Sequence, residues 1–412
     1  RVTSAPMVCS LLSVVISGSG KRRLVINLRH VNQCLWKQKF KYEDLRIAMA
    51  MFNQGEWMFT FDLKAGYHHI EIVQHHRQYL GFNWDGAFYQ FAVLPFGLAS
   101  APYAFTKLMR PLVRFWRSQG LKSIIYIDDG ICAVKGRQEA AAASDWVRDT
   151  LHKAGLVVNC TKSIWEPSHR VQWLGFGTDL IQGCVMVPKR KIELLKHTVA
   201  LALTQQKIRA RSLASIVGKI ISMGIAVGPV ARFMTREMYT VIETRYAWCD
   251  MLTLTLEARE ELLFWCDSIE SYNGQPIWCS PSAVRVAYSD ASDTGYGGYL
   301  VEHDLQIAQG NWSMDEAHQS STWRELVAVG RVLDAVAHKL VNGRMRWFTD
   351  SQNVPRILSV GSKKGILQRE ALKIFKTCVR HHIRLEPEWI PREGNELADY
   401  LSRIVDYDDW LL

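Results

Sequence analysis

From Leu24 to about Leu180, short runs that alternate apolar and polar residues are interleaved with stretches where apolar residues recur every three or four positions. That pattern predicts strands and helices layered in an α/β or α+β architecture. Phe59, Phe61 and Leu63 alternate with Met58, Thr60 and Asp62, which predicts a strand with one apolar face. After Ser100, an expected N-cap, Phe105, Leu108, Leu112 and Phe115 recur at helical spacing, with Pro102 in the first turn and Pro111 as a kink. Ser123 to Ile127 and Ile131 to Val134 read as two strands of a hairpin, with Asp129-Gly130 in the tight turn supporting positive φ. Glu139 to Ala154 predicts a helix stopping at Gly155. From Pro188 to about Ser271 strand alternation disappears and the chain reads as mostly helical, with breaks at Gly224, Gly228 and Pro229. Asn273, Gly274, Pro276 and Pro281 then precede a β-rich start at Val284, placing a boundary near 280.

Composition narrows the class. Of 412 residues, 48% are hydrophobic and 22% charged, enough to build two or three packed cores and contrary to a disordered chain. The nine cysteines are scattered with no Cys-x-x-Cys pair, which speaks against a disulfide frame or a zinc knuckle and for a reduced, intracellular setting. No uninterrupted apolar run approaches eighteen residues, so neither a membrane span nor a secretory signal is expected. Because the chain starts at Arg1, it is expected to be an excerpt of a longer polyprotein. The net charge is +10, and between Met186 and Arg236 ten basic residues face one acid, Glu193. Such a segment suits a phosphate backbone, although a solvated helix face has the same pattern.

Two groups of acids carry the candidate chemistry. Asp62 ends one strand, while Asp128 and Asp129 tip a hairpin. Carboxylates gathered in one place repel and raise each other's pKa unless a cation compensates. Taken alone, Tyr126-Ile127-Asp128-Asp129 also fits an ordinary Asp-Gly turn. Its company is more specific. Lys21 to Arg29, Phe61-Asp62-Leu63-Lys64-Ala65-Gly66-Tyr67, Leu94-Pro95-Phe96-Gly97, the Tyr126 to Asp129 run, Gly155-Leu156 through Lys162, and Trp173-Leu174-Gly175-Phe176 follow one another in an order that resembles the successive motifs of a retroelement reverse transcriptase.

That resemblance implies that Asp62, Asp128 and Asp129 hold the two metal ions of nucleotidyl transfer, with Mg²⁺ the expected ion and Mn²⁺ a substitute. It implies that Lys21, Arg23 and Lys162 contact the incoming triphosphate, that Phe96 and Gly97 shape the nucleotide pocket, and that Tyr67 crowds a ribose 2′-hydroxyl to favour dNTPs. Leu174, Gly175 and Phe176 would grip the primer end. For Phe96 and Trp173, core packing fits the residue type equally well. The basic stretch falls where the family carries its thumb.

The second group lies downstream. Asp290 follows the strand of Val284, Val286 and Tyr288; Glu325 shares a helix stripe with Val329 and Val332; Asp350 closes the strand Arg346 to Thr349; Asp399 sits in the first turn of a helix from Asn395. Each alone fits a cap or a surface acid. In the order Asp, Glu, Asp, Asp, they resemble the active site of ribonuclease H, with two Mg²⁺ expected there as well. Where many members of that family place a mobile histidine, this chain has Pro391-Arg392-Glu393-Gly394, and His381 and His382, on an expected strand, read as structural.

The resemblance therefore implies an α+β right-hand polymerase, with fingers and a ferredoxin-like palm in 1–185 and a helical, basic thumb or connection in 186–279. A ribonuclease H-like α/β domain with a mixed five-stranded sheet follows in 280–412. The partners it implies are an RNA template, a DNA primer, the RNA-DNA hybrid and dNTPs, with no membrane and with other polyprotein domains such as a recombinase. Leu213 to Lys219, Val227-Gly228-Pro229 and the tail from Leu401 to Trp410 are most similar to DIRS-type retrotransposons, with a Gypsy-like or caulimovirus-like element as the alternative. A co-opted nucleic-acid-binding protein that keeps the fold without catalysis is a different class of reading, and the presence of all seven acids speaks against it. An RNA-dependent RNA polymerase is opposed by Tyr67 and by the second group of acids.

Overall fold

A computed structural model describes the chain except residues 17–19, 21, 37, 279–283, 302–304, 341–342 and 405–412, together with the side chain of residue 23. The chain divides into two compact units, Arg1–Val185 and Met186–Leu412.

At the heart of the first unit is a four-stranded antiparallel sheet in the spatial order Lys122–Tyr126, Asp129–Val134, Trp57–Asp62, Ile164–Ser168. Helix Ala101–Ser118 connects the first of these strands in sequence to the second, and helix Arg137–Lys153 connects the third to the fourth. This is a β-α-β-β-α-β order with the spatial arrangement of a ferredoxin-like fold. Apolar faces build its core: Phe105, Met109, Val113 and Trp116 from one helix and Val147 and Leu151 from the other meet Phe59, Phe61, Ile125 and Cys132 from the sheet. Trp57–Asp62 is central, so both its faces are closed off: Met58, Thr60 and Asp62 are as buried as the phenylalanines. The sequence alternation distinguishes the two faces of this strand but cannot reveal that both are covered. A smaller core of Ile26, Leu28, Leu80, Leu94 and Leu98 supports the hairpin Leu12–Ile16 and Arg22–Ile26 and the strands Gly81–Trp84 and Ala87–Gln90.

The expected hairpin turn sits two residues earlier than the Asp-Gly pair suggests. Tyr126 pairs with Asp129, so Ile127 and Asp128 form the connection, and Ile127 takes a φ of +57°. A β-branched residue there is strained by roughly 1–3 kcal/mol. Gly130 serves another purpose: a Cβ on it would lie 2.2 Å from Cζ of Phe61, so the missing side chain admits that ring beneath the acidic tip. Ser100 precedes its helix without capping it through its side chain, and Pro111 lies inside the helix.

The second unit begins with helices Lys189–Leu203, Ala210–Ser222, Arg236–Glu243 and Leu256–Tyr272, as the loss of alternation predicts, and with one short strand pair, Lys207–Arg209 with Met251–Thr253. Glu261 is buried and accepts the backbone N–H groups of Glu237 and Met238, both at 3.0 Å, which caps the third of these helices from a neighbouring one. A mixed five-stranded sheet follows, in the order Gln306–Asn311, Gly295–Val301, Val284–Ala291, Arg344–Thr349, Arg384–Trp389. The first three strands pair antiparallel and the last two join in parallel. Helices Ser321–Val336 and Gly365–Arg380 bring Leu326, Val329, Val332, Ala371 and Ile374 into a core with Ala287, Leu300 and Trp347. His381 follows the helix and His382 turns the chain at a φ of +52°, so neither lies on the strand, which starts at Arg384. Among the described residues no helix is long and apolar enough to cross a membrane.

Candidate functional site

The two acidic groups are built in different ways, each on the sheet of its own unit.

In the first unit, antiparallel register sets Asp62 opposite Asp129 at the end of the central strand pair. The strained turn holds Asp128 beside them, with its carbonyl accepting the Leu63 N–H at 2.8 Å. Asp62 is only 6% exposed, and both of its carboxylate oxygens have protein donors: Asn159 Nδ2 reaches Oδ1 at 2.7 Å and Lys162 Nζ reaches Oδ2 at 2.9 Å. The Asn159 N–H donates to the Asp62 carbonyl at 2.8 Å, and the Ser163 hydroxyl accepts the Asp62 N–H at 3.0 Å. Burial, then the Asp128 charge and the approach of Asp62, push Asp129 up to about 7 against the opposing pull of Lys162. The hydrogen bond to Asp62 raises Lys162 above its ordinary value, so this ammonium supplies the local positive charge.

Around these acids, Tyr67 stands in the turn Gly66–His69 with its ring 5.3 Å from that of Phe96 and 6.1 Å from that of Phe105. Burial, with Tyr42, Asp128 and Tyr126 adding to it, pushes its phenol up to about 12, so it remains a neutral hydroxyl. Phe96 is 38% exposed and available for contact, whereas Trp173 is buried and packs. Gly97 has a φ of +106°, and its carbonyl accepts Asn32 Nδ2 at 2.9 Å. Leu174 and Gly175, both at positive φ, form the two-residue turn between Arg170–Trp173 and Phe176–Asp179, a hairpin that presents Leu174, Gly175 and Phe176 at its tip. Lys21 and the Arg23 side chain lie outside the described residues; the Arg23 backbone belongs to strand Arg22–Ile26.

In the second unit, Asp290, Glu325 and Asp350 each offer an oxygen within 4.8 Å of the others, and among the described residues they are the one such group of three. Asp290 comes from the central strand, Asp350 from the end of the parallel strand beside it, and Glu325 from the helix packed on them. Burial first, with each neighbouring acid adding to it, pushes Asp290 to about 6 and Glu325 to about 9. Glu325 Oε2 is buried with no hydrogen-bond partner. An unpartnered buried oxygen among three facing carboxylates fits a hard divalent cation, which is the missing positive charge in chemical terms. Asp62, Asp128 and Asp129 do not close to the same distance, and there a cation would take the place of the Lys162 ammonium.

Asp399 stands apart from the trio. Its carboxylate receives Arg392 Nη2 at 2.7 Å and Arg403 Nε and Nη2 at 2.9 and 2.7 Å, and these bonds, Arg403 foremost, hold it down at about 2. The helix that carries it, Glu396–Arg403, lies so close to the sheet that a Cβ on Gly297 would be 2.4 Å from the Ser402 nitrogen. This approach delivers the Ser402 hydroxyl to Asp290 Oδ2 at 2.8 Å, while buried Asn395 ties the helix start to the Ser289 carbonyl at 3.1 Å. Sequence reasoning passed over Asn159, Ser163, Ser402 and Arg403. Asn159 lay inside a recognised motif, but no spacing rule marks a residue about a hundred positions away as the partner of Asp62.

Residues 17–178 match the family described as reverse transcriptase (RNA-dependent DNA polymerase). Over 401 residues, 94% of the chain, the sequence is 23% identical to a retrovirus-related Pol polyprotein from the transposon gypsy of Drosophila melanogaster, covering 36% of it. It is 21% identical over 399 residues to the genome polyprotein of Petunia vein clearing virus, covering 17% of that protein. The chain thus spans little more than a third of the length of the first and about a sixth of the second. Among solved structures, foamy viral protease-reverse transcriptase dRH in complex with double-stranded DNA superposes with a TM-score of 0.60 at 18% identity, over 94% of this chain and 66% of that one. Foamy viral protease-reverse transcriptase in complex with an RNA/DNA hybrid superposes with a TM-score of 0.59 at 15% identity, over 94% and 51%. With its acids at the end of a ferredoxin-like sheet, the stretch 17–178 matches the reverse transcriptase family, and the fold of the chain is similar to that of the foamy viral protease-reverse transcriptases.

Proposed function

We propose that this chain copies RNA and DNA templates into DNA and cleaves the RNA strand of the resulting hybrid, in the service of retrotransposon replication. The observation that carries the reading is the convergence of Asp290, Glu325 and Asp350 within 4.8 Å in the unit that follows the reverse transcriptase domain. It is a second acidic centre suited to phosphodiester hydrolysis.

Asp62, Asp128 and Asp129 would hold the metal for polymerisation, and Asp290, Glu325 and Asp350, with Asp399 behind them, the metal for cleavage. Mg²⁺, or Mn²⁺ in its place, supplies charge compensation for an attacking hydroxyl and a departing oxygen when bound. The remaining roles belong to the chain. Tyr67, neutral and set between the tilted ring of Phe96 and the edge-on ring of Phe105, limits space at a sugar 2′ position, and Phe96 and Gly97 floor the same pocket. Lys21, Arg23 and Lys162 receive the triphosphate, and the Leu174 to Phe176 tip supports the primer terminus. Arg392, in the segment where a mobile histidine is expected, and Arg403 beyond Asp399 fix that carboxylate through three donor bonds. The three-part division 1–185, 186–279 and 280–412 belongs to this proposal, as does an intracellular site of action in cytoplasm or nucleus. Its nucleic-acid partners are an RNA template, a DNA primer and the hybrid, with dNTPs as substrates.

Within retroelements the DIRS-type reading rests on Leu213 to Lys219 and Val227-Gly228-Pro229, while the part of the tail beyond Ile404 falls outside the described residues. Similarity to the gypsy polyprotein and to a plant-virus polyprotein favours the alternative. A tyrosine recombinase in the parent reading frame would decide for the first, an aspartic protease for the second. Function is tested by primer extension on an RNA template with dNTPs and Mg²⁺, beside cleavage of an end-labelled hybrid. The proposal expects both activities. Hybrid binding with neither activity would instead support the non-catalytic binding protein.

A further inference from the structure

A cleft of about 390 Å³ lies within the second unit, lined by Arg232, Arg236, Tyr239, Thr240, Glu243 and Lys363 and by none of the acidic trio. Lys363 and Glu243 are paired at 3.0 Å and cancel, which leaves two guanidiniums facing the space, neither in an ion pair among the described residues. The exposed Arg232 side chain has no hydrogen-bond or ion-pair partner among the described residues. Arg236 donates from Nη2 to the Val360 carbonyl, and its Nε is buried without a partner. The buried acid Glu261 spends both oxygens on the backbone of Glu237 and Met238. Burial foremost pulls the Arg236 guanidinium below its ordinary value, with the Arg232 charge adding to it and Tyr239 and Glu261 opposing. Two like charges four positions apart across a helix break, one exposed and one half-buried, with donors to spare and a phenol beside them, are the arrangement an oxyanion relieves.

We propose that this cleft binds a phosphate group, clamped by Arg232 and Arg236 with Tyr239 as an added donor. Planar guanidinium forks match a tetrahedral oxyanion, and two positive charges, neither in an ion pair among the described residues, favour a phosphate over a neutral ligand. Phosphate can arrive on a nucleic-acid backbone or as a free anion such as pyrophosphate, and the two sources are separable. The backbone arm rests on the copying function proposed above; the free-anion arm does not.

The experiment compares wild-type chain with Arg232→Gln, whose side chain supports nothing in the fold, and with Arg232→Lys. Calorimetric titration with inorganic pyrophosphate in EDTA, which strips the acidic centres of the ions they need to hold that anion, is expected to show binding that Arg232→Gln weakens at least fivefold and Arg232→Lys weakens less. Binding of a labelled RNA-DNA hybrid across a salt series is expected to lose about one in the slope of log K against log salt in Arg232→Gln, as for the removal of one phosphate contact. A change in the salt slope assigns the cleft to the backbone; a change in pyrophosphate affinity alone assigns it to a free anion. Unchanged slope together with unchanged or absent pyrophosphate binding overturns the proposal. A wild-type chain that binds pyrophosphate here but no hybrid at all refutes the copying function and leaves the cleft standing.

Discussion

The two acidic centres contain the same kind of side chain and solve the same electrostatic problem in opposite ways. At Asp62 the positive charge is internal: Lys162 and Asn159 engage both carboxylate oxygens. Among the described residues no ammonium or guanidinium is hydrogen-bonded to Asp290, Glu325 or Asp350: Arg392 and Arg403 are engaged by Asp399, Arg324 by Asp293 and the Ser292 carbonyl, and Glu325 keeps a buried oxygen with no partner. Proximity of acids therefore does not by itself measure the demand for a cation. What matters is whether the surrounding chain already supplies one.

The largest expected effect separates the centres outright. Asp128→Asn should lower primer extension by about three orders of magnitude and leave hybrid cleavage intact, and Asp350→Asn should do the reverse. Equal loss of both activities from either change would mean a collapsed fold or a misassigned centre. Next in size, Mg²⁺ should raise the unfolding midpoint of the wild-type chain, by the equivalent of about 2.7 kcal/mol at a hundredfold excess over its dissociation constant. Glu325→Gln should remove most of that gain while leaving the metal-free protein at least as stable, because it removes a buried acid that folding forces to hold a proton; calorimetric scans with EDTA and with Mg²⁺ decide it.

Third, the comparison can be drawn along the pH axis. Glu325 at about 9 and Asp290 at about 6, both raised above all by burial, mean that the metal-free native chain binds more protons than the unfolded one. Their contribution is most favourable below the unfolded carboxylate range, roughly pH 4, and declines as pH rises through 6 toward 9. Glu261, pushed by burial to about 7, acts in the same sense. Asp399 at about 2 acts oppositely, stabilising above roughly pH 4 and losing that contribution as pH falls toward 2. Denaturant titrations in EDTA should thus show stability falling between pH 5 and 8, less steeply in Glu325→Gln; a stability that climbs over that interval would contradict the repulsion described for the trio. The smallest effect tests the internal cation. Lys162→Met should destabilise the metal-free chain by about 1 kcal/mol, modest because the lysine is more than half exposed, and Mg²⁺ should narrow the deficit by replacing the lost charge. A deficit of equal size with and without Mg²⁺ would show that Lys162 does not stand in for a cation.

Much of this could be read before any coordinates. The strand ending in Asp62, a hairpin with acids at its tip, the helix from Ala101, the helical stretch after Pro188 and the acids of the second group all follow from local periodicity and from motifs in order. Each depends on neighbours in sequence, where spacing directly sets which residues share a face. Tertiary structure decided the rest. It placed the hairpin turn on Ile127 and Asp128 and used Gly130 to seat Phe61, a contact between separate strands. It drew Glu325 to Asp290 and Asp350 yet left Asp399 in the grip of Arg392 and Arg403. It also paired Lys162 with Asp62 across a hundred residues. Charge compensation depends on distance and burial, and both are set by how elements pack; a sequence can name the acids, but only the packed chain shows which already have their cation.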